Sequence, residues 1–160
     1  MLSFERTHDM DLVKRIMSHR KVYPHVSDDG CPAREEFEPI AHPAIWYVSV
    51  LDDGGVIGLF VFSPQNTVCW EVHTCLLPTA WGGRATEAAR GVIEWIWANT
   101  PCRRIVTTVP ANNRLALHLA ERAGLEQFGV NAESWLKKGK LHGQILLGIS
   151  REKTQQCQQH

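Results

Sequence analysis

The fold turns on the stretch from Cys69 to Ala89, CWEVHTCLLPTAWGGRATEAA. Its first half alternates as a β-strand does, Pro78 ends that pattern, and Gly82, Gly83 and Arg84 lead into a helix with small residues in its first turns. A strand handing over to a helix start brings unpaired N–H groups and the positive end of the helix dipole to one place. An oligoanion such as a pyrophosphate fits there.

Upstream, Ala44 to Leu51 and Val56 to Ser63 are β-rich runs joined by D-D-G-G, a turn of residues that tolerate positive φ. With Val68 to Leu77 as a third strand they predict an antiparallel meander. Downstream, the helix is expected over about Ala85 to Asn99, with Ala85, Ala88, Ala89, Val92 and Ile96 on one face and Glu87, Arg90 and Glu94 opposite. Trp95 and Trp97 flank that face as packing residues. Pro101 ends the helix and Arg104 to Val109 reads as a strand, so the crossover places two strands parallel. Asn112 and Asn113 are expected to cap a second helix running to Ala123, stopped by Gly124. Leu125 to Trp135 and Leu141 to Ser150 read as a closing pair of strands around K-K-G-K.

At the front, Leu2 to Phe4 reads as a short strand. A helix over about Asp9 to His19 follows, capped by Thr7 or Asp9 and striped by Leu12, Val13, Ile16 and Met17. Lys21 to Pro43 holds three internal prolines, the turn D-D-G and the acidic residues Asp28, Asp29, Glu35, Glu36 and Glu38 around Arg34. A loop of that length in a small domain is expected to be a lid or binding loop, with a helical turn at Glu35 to Phe37. Its carboxylates are either solvated or a surface for a cationic amine, and Trp46 and Tyr47 either pack in their strand or form an aromatic wall.

The fold class expected is a mixed α/β sheet, an antiparallel meander followed by one parallel strand-helix-strand crossover. At 160 residues the chain is read as a single domain over 1–150, with a disordered glutamine-rich tail over 151–160. Seventeen basic and seventeen acidic residues cancel, so no global field draws in nucleic acid or an anionic membrane. No run is long enough to span a bilayer, and MLSFERTHDMD has neither the basic flank nor the apolar run of a signal peptide, so a cytoplasmic protein is expected. The five cysteines form no C-x-x-C and the eight histidines no H-x-x-x-H, which argues against a disulfide framework and a bound metal.

Two separated motifs resemble the GNAT superfamily of acyl-CoA N-acyltransferases. The segment A-W-G-G-R-A, Ala80 to Ala85, is similar to the family's phosphate loop Gln/Arg-x-x-Gly-x-Gly/Ala, with Ala80 in the Gln/Arg place. Together with E-V-H-T-C-L-L-P, the string W-G-G-R-A-T-E-A resembles the branch that acetylates protein N-termini and small amines, though this loop is one residue shorter. One crossover later, N-R-L-A-L-H-L-A-E-R-A-G-L, Asn113 to Leu125, resembles N-x-x-A/S-x-x-L-Y-E-K-x-G-F. There Asn113 takes the place of the asparagine that bonds the pantetheine arm, and Ala120 that of the tyrosine many members use as general acid. Gly143 stands where the branch often has an aspartate. The resemblance implies splayed central strands, acetyl-CoA as co-substrate, and residues 1–43 as the acceptor-side helix and lid beside a CoA-binding core over 44–150.

For the cofactor, the amides from Trp81 to Ala85 (Trp81, Gly82, Gly83, Arg84, Ala85) are expected to face the pyrophosphate, with the Arg84 side chain adding a charge-assisted contact. Backbone N–H groups near Leu76 and Leu77 are the implied oxyanion donors. On the strand, Cys69, Glu71, His73 and Cys75 share one face by the period of two, unless a bulge, frequent in this family's strand, breaks the parity. Glu71 is the first candidate for general base because its place matches a glutamate near the acceptor site, and His73 is the second. The reaction implied is acetyl transfer to a primary amine: a protein N-terminus, a lysine or a small molecule, by a monomer or homodimer. Two alternatives stand beside it: a GNAT-fold binding module without catalysis, and a thiol-dependent hydrolase using Cys75 and His73.

Overall fold

In the computed structural model, which describes residues 1–152, seven strands form one sheet in the order β1-β2-β3-β4-β5-β7-β6. The strands are β1 (Leu2–Thr7), β2 (Trp46–Asp52), β3 (Gly55–Pro64), β4 (Cys69–Leu76), β5 (Arg104–Pro110), β6 (Glu126–Lys137) and β7 (Lys140–Ser150). The helices are α1 (Met10–Met17), α2 (Tyr23–Val26), α3 (Gly83–Asn99) and α4 (Arg114–Arg122), with 3-10 turns at Arg34–Glu36 and Pro78–Ala80.

β1 to β4 form the antiparallel meander, and the turn between β2 and β3 places Asp53 and Gly54 at positive φ as its sequence predicts. β4 and β5 are parallel, joined through α3 by the expected crossover. The closing hairpin adds to β5 through β7, its turn formed by Lys138 and Gly139 at positive φ.

Two apolar clusters cover the two faces of this sheet. On one, the small-residue face of α3 (Ala85, Ala88, Ala89, Val92, Ile93, Ile96) packs on Val48, Val50, Phe60, Phe62, Trp70 and Val72. Phe60 and Phe62 are fully buried, each stabilising by about 1.5–3 kcal/mol through removal from water. Small residues on the helix let it approach the sheet closely, and Gly91 is needed for that fit, since a Cβ there would lie 2.4 Å from the ring of Phe4. On the other face Val13 and Ile16 of α1 pack with Tyr47, Leu59, Val61 and Cys75. Asp9 caps α1 by accepting from the Leu12 amide at 2.9 Å.

Between β4 and β5 the sheet divides. Their pairing consists of Cys69 with Arg104, Trp70 with Ile105 and Glu71 with Val106. Beyond that point β4 stays paired with β3 as far as Leu76, opposite Gly58, and β5 stays paired with β7 as far as Pro110. Each half of the sheet is held by its outer neighbour, so the inner edges part without either strand fraying.

Several expectations shift. α3 starts two residues earlier than its apolar pattern, at Gly83, because helical backbone begins before the first buried side chain. The long loop contains α2, and its prolines permit this because Pro24 sits in the first turn, where a helix needs no N–H. Of the predicted tail, Arg151 and Glu152 are ordered by the Arg151 amide on Arg103 O at 2.9 Å and the Glu152–Arg103 ion pair at 3.2 Å. The remainder of the tail lies outside the described residues. Trp46 is no pocket wall: it packs edge-on against Trp70 and Trp95 under the Arg6 guanidinium. The Tyr47 ring is buried, with its hydroxyl donating to Ile40 O at 2.8 Å.

Candidate active site

A cavity of about 680 Å³ occupies the division between β4 and β5 and reaches both faces of the sheet. On the α3 side its wall includes Trp81, Gly82, Ala85, Ala89, Asn113, Ala116 and Ala120; on the α1 side Lys21, Val22, His25 and Val26 close it, and Trp135 and Gln144 of the closing hairpin also line it.

Strand register decides which main-chain groups enter this space. The Leu77 amide donates to Ile57 O at 2.9 Å, so by alternation the odd residues of β4 spend their amides on β3. The even residues turn theirs to β5. Where β5 has departed, the main-chain groups of Thr74 and Leu76 therefore face the cavity. At the apex the Thr107 hydroxyl donates to Val72 O at 2.9 Å, replacing the missing ladder bond, and at the outer end the Trp81 indole donates to Leu76 O at 3.1 Å. Of the two amides expected to bind an oxyanion, only that of Leu76 is free to do so. Leu77 belongs to the sheet.

Glu71 sits at the last β4–β5 pair, where the strands part. Its neighbour on the same face is His73, with Nε2 3.5 Å from Glu71 Oε1. The register of β4 against β3 runs without a shift, so the parity that puts the two side chains together is unbroken. The His73 side chain is about half exposed and that of Glu71 about a quarter, at 49% and 27%. Cys75, next on that face, is buried outright, and desolvation pushes its thiol up to about 12. A nucleophile cannot be made from a thiol that is neither exposed nor ionised, so the hydrolase alternative loses its central residue.

The strand-to-helix turn adopts the geometry of an anion cradle. Gly82 precedes α3 at φ 88, a backbone conformation that glycine adopts without strain, and no side chain caps the helix. A Cβ at Gly82 or Gly83 would meet nothing within 4 Å, so the space before the helix is open. Two of the five expected amides are already used: Trp81 N donates to Pro78 O at 3.2 Å and Ala85 N to Gly82 O at 3.1 Å. Those of Gly83 and Arg84, in the first helical turn, precede any intrahelical acceptor.

Arg84 departs from its expected role. Its Nε and Nη2 grip the Asp52 carboxylate at 2.8 and 2.7 Å, and Nη1 reaches Glu87 at 2.7 Å. The guanidinium ties the start of α3 to the β2–β3 turn and is saturated by carboxylates. Asn113 has one polar end engaged, its Oδ1 accepting from the Ala116 amide at 3.2 Å as the cap of α4.

Nor do the loop carboxylates enter the cavity. Asp29 accepts from the Lys138 and Gly139 amides, both at 2.8 Å, Glu35 pairs with Arg34, and Glu38 with Lys14. In turn Lys137 Nζ donates to Pro24 O at 2.9 Å and to Ser27 O. The loop is thus latched to the tip of the closing hairpin. Among the described residues Glu71 is the one carboxylate that lines the cavity.

Residues 3–126 match the model of the acetyltransferase (GNAT) domain. The chain belongs to this family, one of acyl-CoA-dependent N-acetyltransferases. Among solved structures, it is similar to a spermidine N-acetyltransferase from Vibrio cholerae in complex with CoA and spermine, at TM-score 0.79 and 19% identity over 95% of this chain and 96% of that one. It is also similar to a GNAT-family acetyltransferase from Streptococcus pneumoniae, at TM-score 0.70 and 16% identity over 94% and 99% of the two chains. No curated protein matches at a significant level. These likenesses share the mixed sheet described above.

The GNAT site here fits an acyl-CoA on this structure's own terms. An uncapped helix start with open space before it suits a pyrophosphate, and a strand edge with unpaired main-chain groups suits the amide-bearing pantetheine arm. Lys21 and His25 fall within the expected acceptor-side loop but have no motif that singles them out, and Thr107 and Trp135 have none either. They arrive from a loop, a crossover strand and a hairpin that only the fold brings together. Among the described residues no group of three or more His, Cys, Asp or Glu is placed to hold a metal, and no helix is long and apolar enough to cross a membrane.

Proposed function

We propose that this chain transfers an acetyl group from acetyl-CoA to a small primary amine, with Glu71 as general base and His73 assisting it. The observation that carries this reading is the place of Glu71, at the last β4–β5 pair where the cavity opens, with His73 3.5 Å away. Residues 44–150 hold the co-substrate, and 1–43 shape the acceptor side, within one domain.

Acetyl-CoA supplies a thioester carbonyl open to attack by an amine. The Gly83 and Arg84 amides hold its pyrophosphate, with Gly82 giving close backbone approach, while Trp81 and Ala85 line the entrance and Asn113 lies along the pantetheine arm. Glu71 takes the proton from the acceptor amine, directly or through His73 and water. The Leu76 amide donates to the developing oxyanion. Ala120 lines the cavity and brings no hydroxyl, so the departing thiolate leaves without a phenolic acid; a thiol of pKa about 8.5 is acidic enough for that.

The test is calorimetry with acetyl-CoA followed by free-thiol release with a panel of amines. Binding with turnover of at least one amine is expected. No binding at millimolar acetyl-CoA overturns the proposal.

A further inference from the structure

The acceptor chamber is sparsely acidic for a site that takes an amine, and this narrows the substrate. Among the described residues its sole carboxylate is Glu71, the proposed base, whereas the exposed Lys21 and His25 line it on the α1 side. Lys21 takes part in no ion pair among the described residues, so its charge is uncompensated there. None of the loop carboxylates lines the cavity, and three of them are engaged elsewhere: Asp29 by the hairpin amides, Glu35 by Arg34 and Glu38 by Lys14. The segment carrying Lys21 and His25 is also fixed in place, because Lys137 donates to the carbonyls of Pro24 and Ser27.

Resting on the acetyltransferase reading above, we infer that the acceptor is a small amine that also carries an anionic oxygen group, a carboxylate or a phosphate, held by Lys21 and His25 while its amine meets Glu71. On the α1 side the lining runs in that order, from Lys21 and His25 to Glu71 where the strands part, while Arg122 lines the cavity from α4. A diamine of equal length would place its second ammonium against Lys21. Like charges brought face to face there repel, and that repulsion sets the substrate preference.

The experiment compares 4-aminobutyrate, 3-aminopropyl phosphate, 4-aminobutanamide and 1,4-diaminobutane by thiol release at saturating acetyl-CoA. In the wild-type chain kcat/KM for one or both anionic amines is expected to exceed that for the neutral amide by about tenfold and that for the diamine by more. Which anion leads identifies the group. In Lys21→Gln the ratio of anionic to neutral amine collapses toward one, and in Lys21→Glu the diamine moves ahead. Equal turnover of all four, or a preference for the diamine in the wild type, overturns the inference while leaving acetyl transfer standing. Loss of acetyl-CoA binding in calorimetry overturns both.

Discussion

Nε2 of His73 lies 3.5 Å from Oε1 of Glu71, the residue two places before it on the same face of β4. Only the strand period brings them together, since the residues directly opposite them on β3 are Val61 and Ser63, neither of which titrates. The strand period fixes their backbone places whichever side chain is changed, provided the strand is kept. The two members can therefore be tested separately.

Glu71→Gln keeps the shape and hydrogen bonding at the apex and removes the base. It is expected to lower kcat by about 10²–10⁴ with acetyl-CoA affinity unchanged, and His73→Gln by about tenfold. Stopped-flow thiol detection with parallel calorimetry makes the comparison. If His73→Gln proves the more damaging, the imidazole is the base and Glu71 its orienting partner.

Gly83→Glu and Arg84→Ala separate the helix start from the side chain beside it. At Gly83 a Cβ meets nothing, and a glutamate in the first turn suits the helix dipole, so the fold is expected to tolerate the change. Its charge opposes a pyrophosphate, and acetyl-CoA affinity should fall about thirtyfold, or about 2 kcal/mol. Arg84→Ala removes a guanidinium already bound to Asp52 and Glu87, so affinity should change less than about threefold while the melting temperature falls. A large loss of affinity in Arg84→Ala would mean that the guanidinium leaves its carboxylates for the phosphate.

What the sequence made legible follows from how local each signal is. The turn at Asp53 and Gly54, the Asp9 and Asn113 caps, the Gly124 stop and the Glu71–His73 parity each involve residues only a few positions apart, and all are present. The commitments of Arg84 and Asp29 were not legible. Arg84 meets Asp52 across 32 positions, and Asp29 meets Gly139 across 110. A charged residue's partner at that range depends on the sheet order, and the insertion of β7 between β5 and β6 has no local signature. For the same reason the Leu76 amide could not be told from that of Leu77 until the β3 register was known.

Thiol accessibility tests the placement of β4 independently of activity. Burial pushes Cys75 up to about 12 and Cys102 up to about 11, whereas Cys31 is exposed. At pH 8 a thiol of the former kind is ionised to only about one part in 10³–10⁴ and is shielded besides. Iodoacetamide followed by peptide mass spectrometry should label Cys31 in the native protein and spare Cys75 and Cys102. Labelling of Cys75 in step with loss of turnover would return a thiol nucleophile to the mechanism.

The latch between loop and hairpin should open with acid. The amides of Gly139 and then Lys138 hold the Asp29 carboxyl below its ordinary value of 3.8. A carboxyl depressed in the folded state contributes stability that is complete above its unfolded pKa and is lost as pH falls through the folded one, so the contact persists at neutral pH and weakens below about 4. In Asp29→Ala the same two amides lose their acceptor at every pH. Hydrogen exchange at Lys138 and Gly139 is therefore expected to be fast in the variant at neutral pH and slow in the wild type. Turnover should fall as well, because the hairpin carries Trp135 to the cavity wall and Lys137 to the carbonyls of Pro24 and Ser27. Equal exchange in the two proteins would show that these two amides are protected by the hairpin's own ladder and not by Asp29.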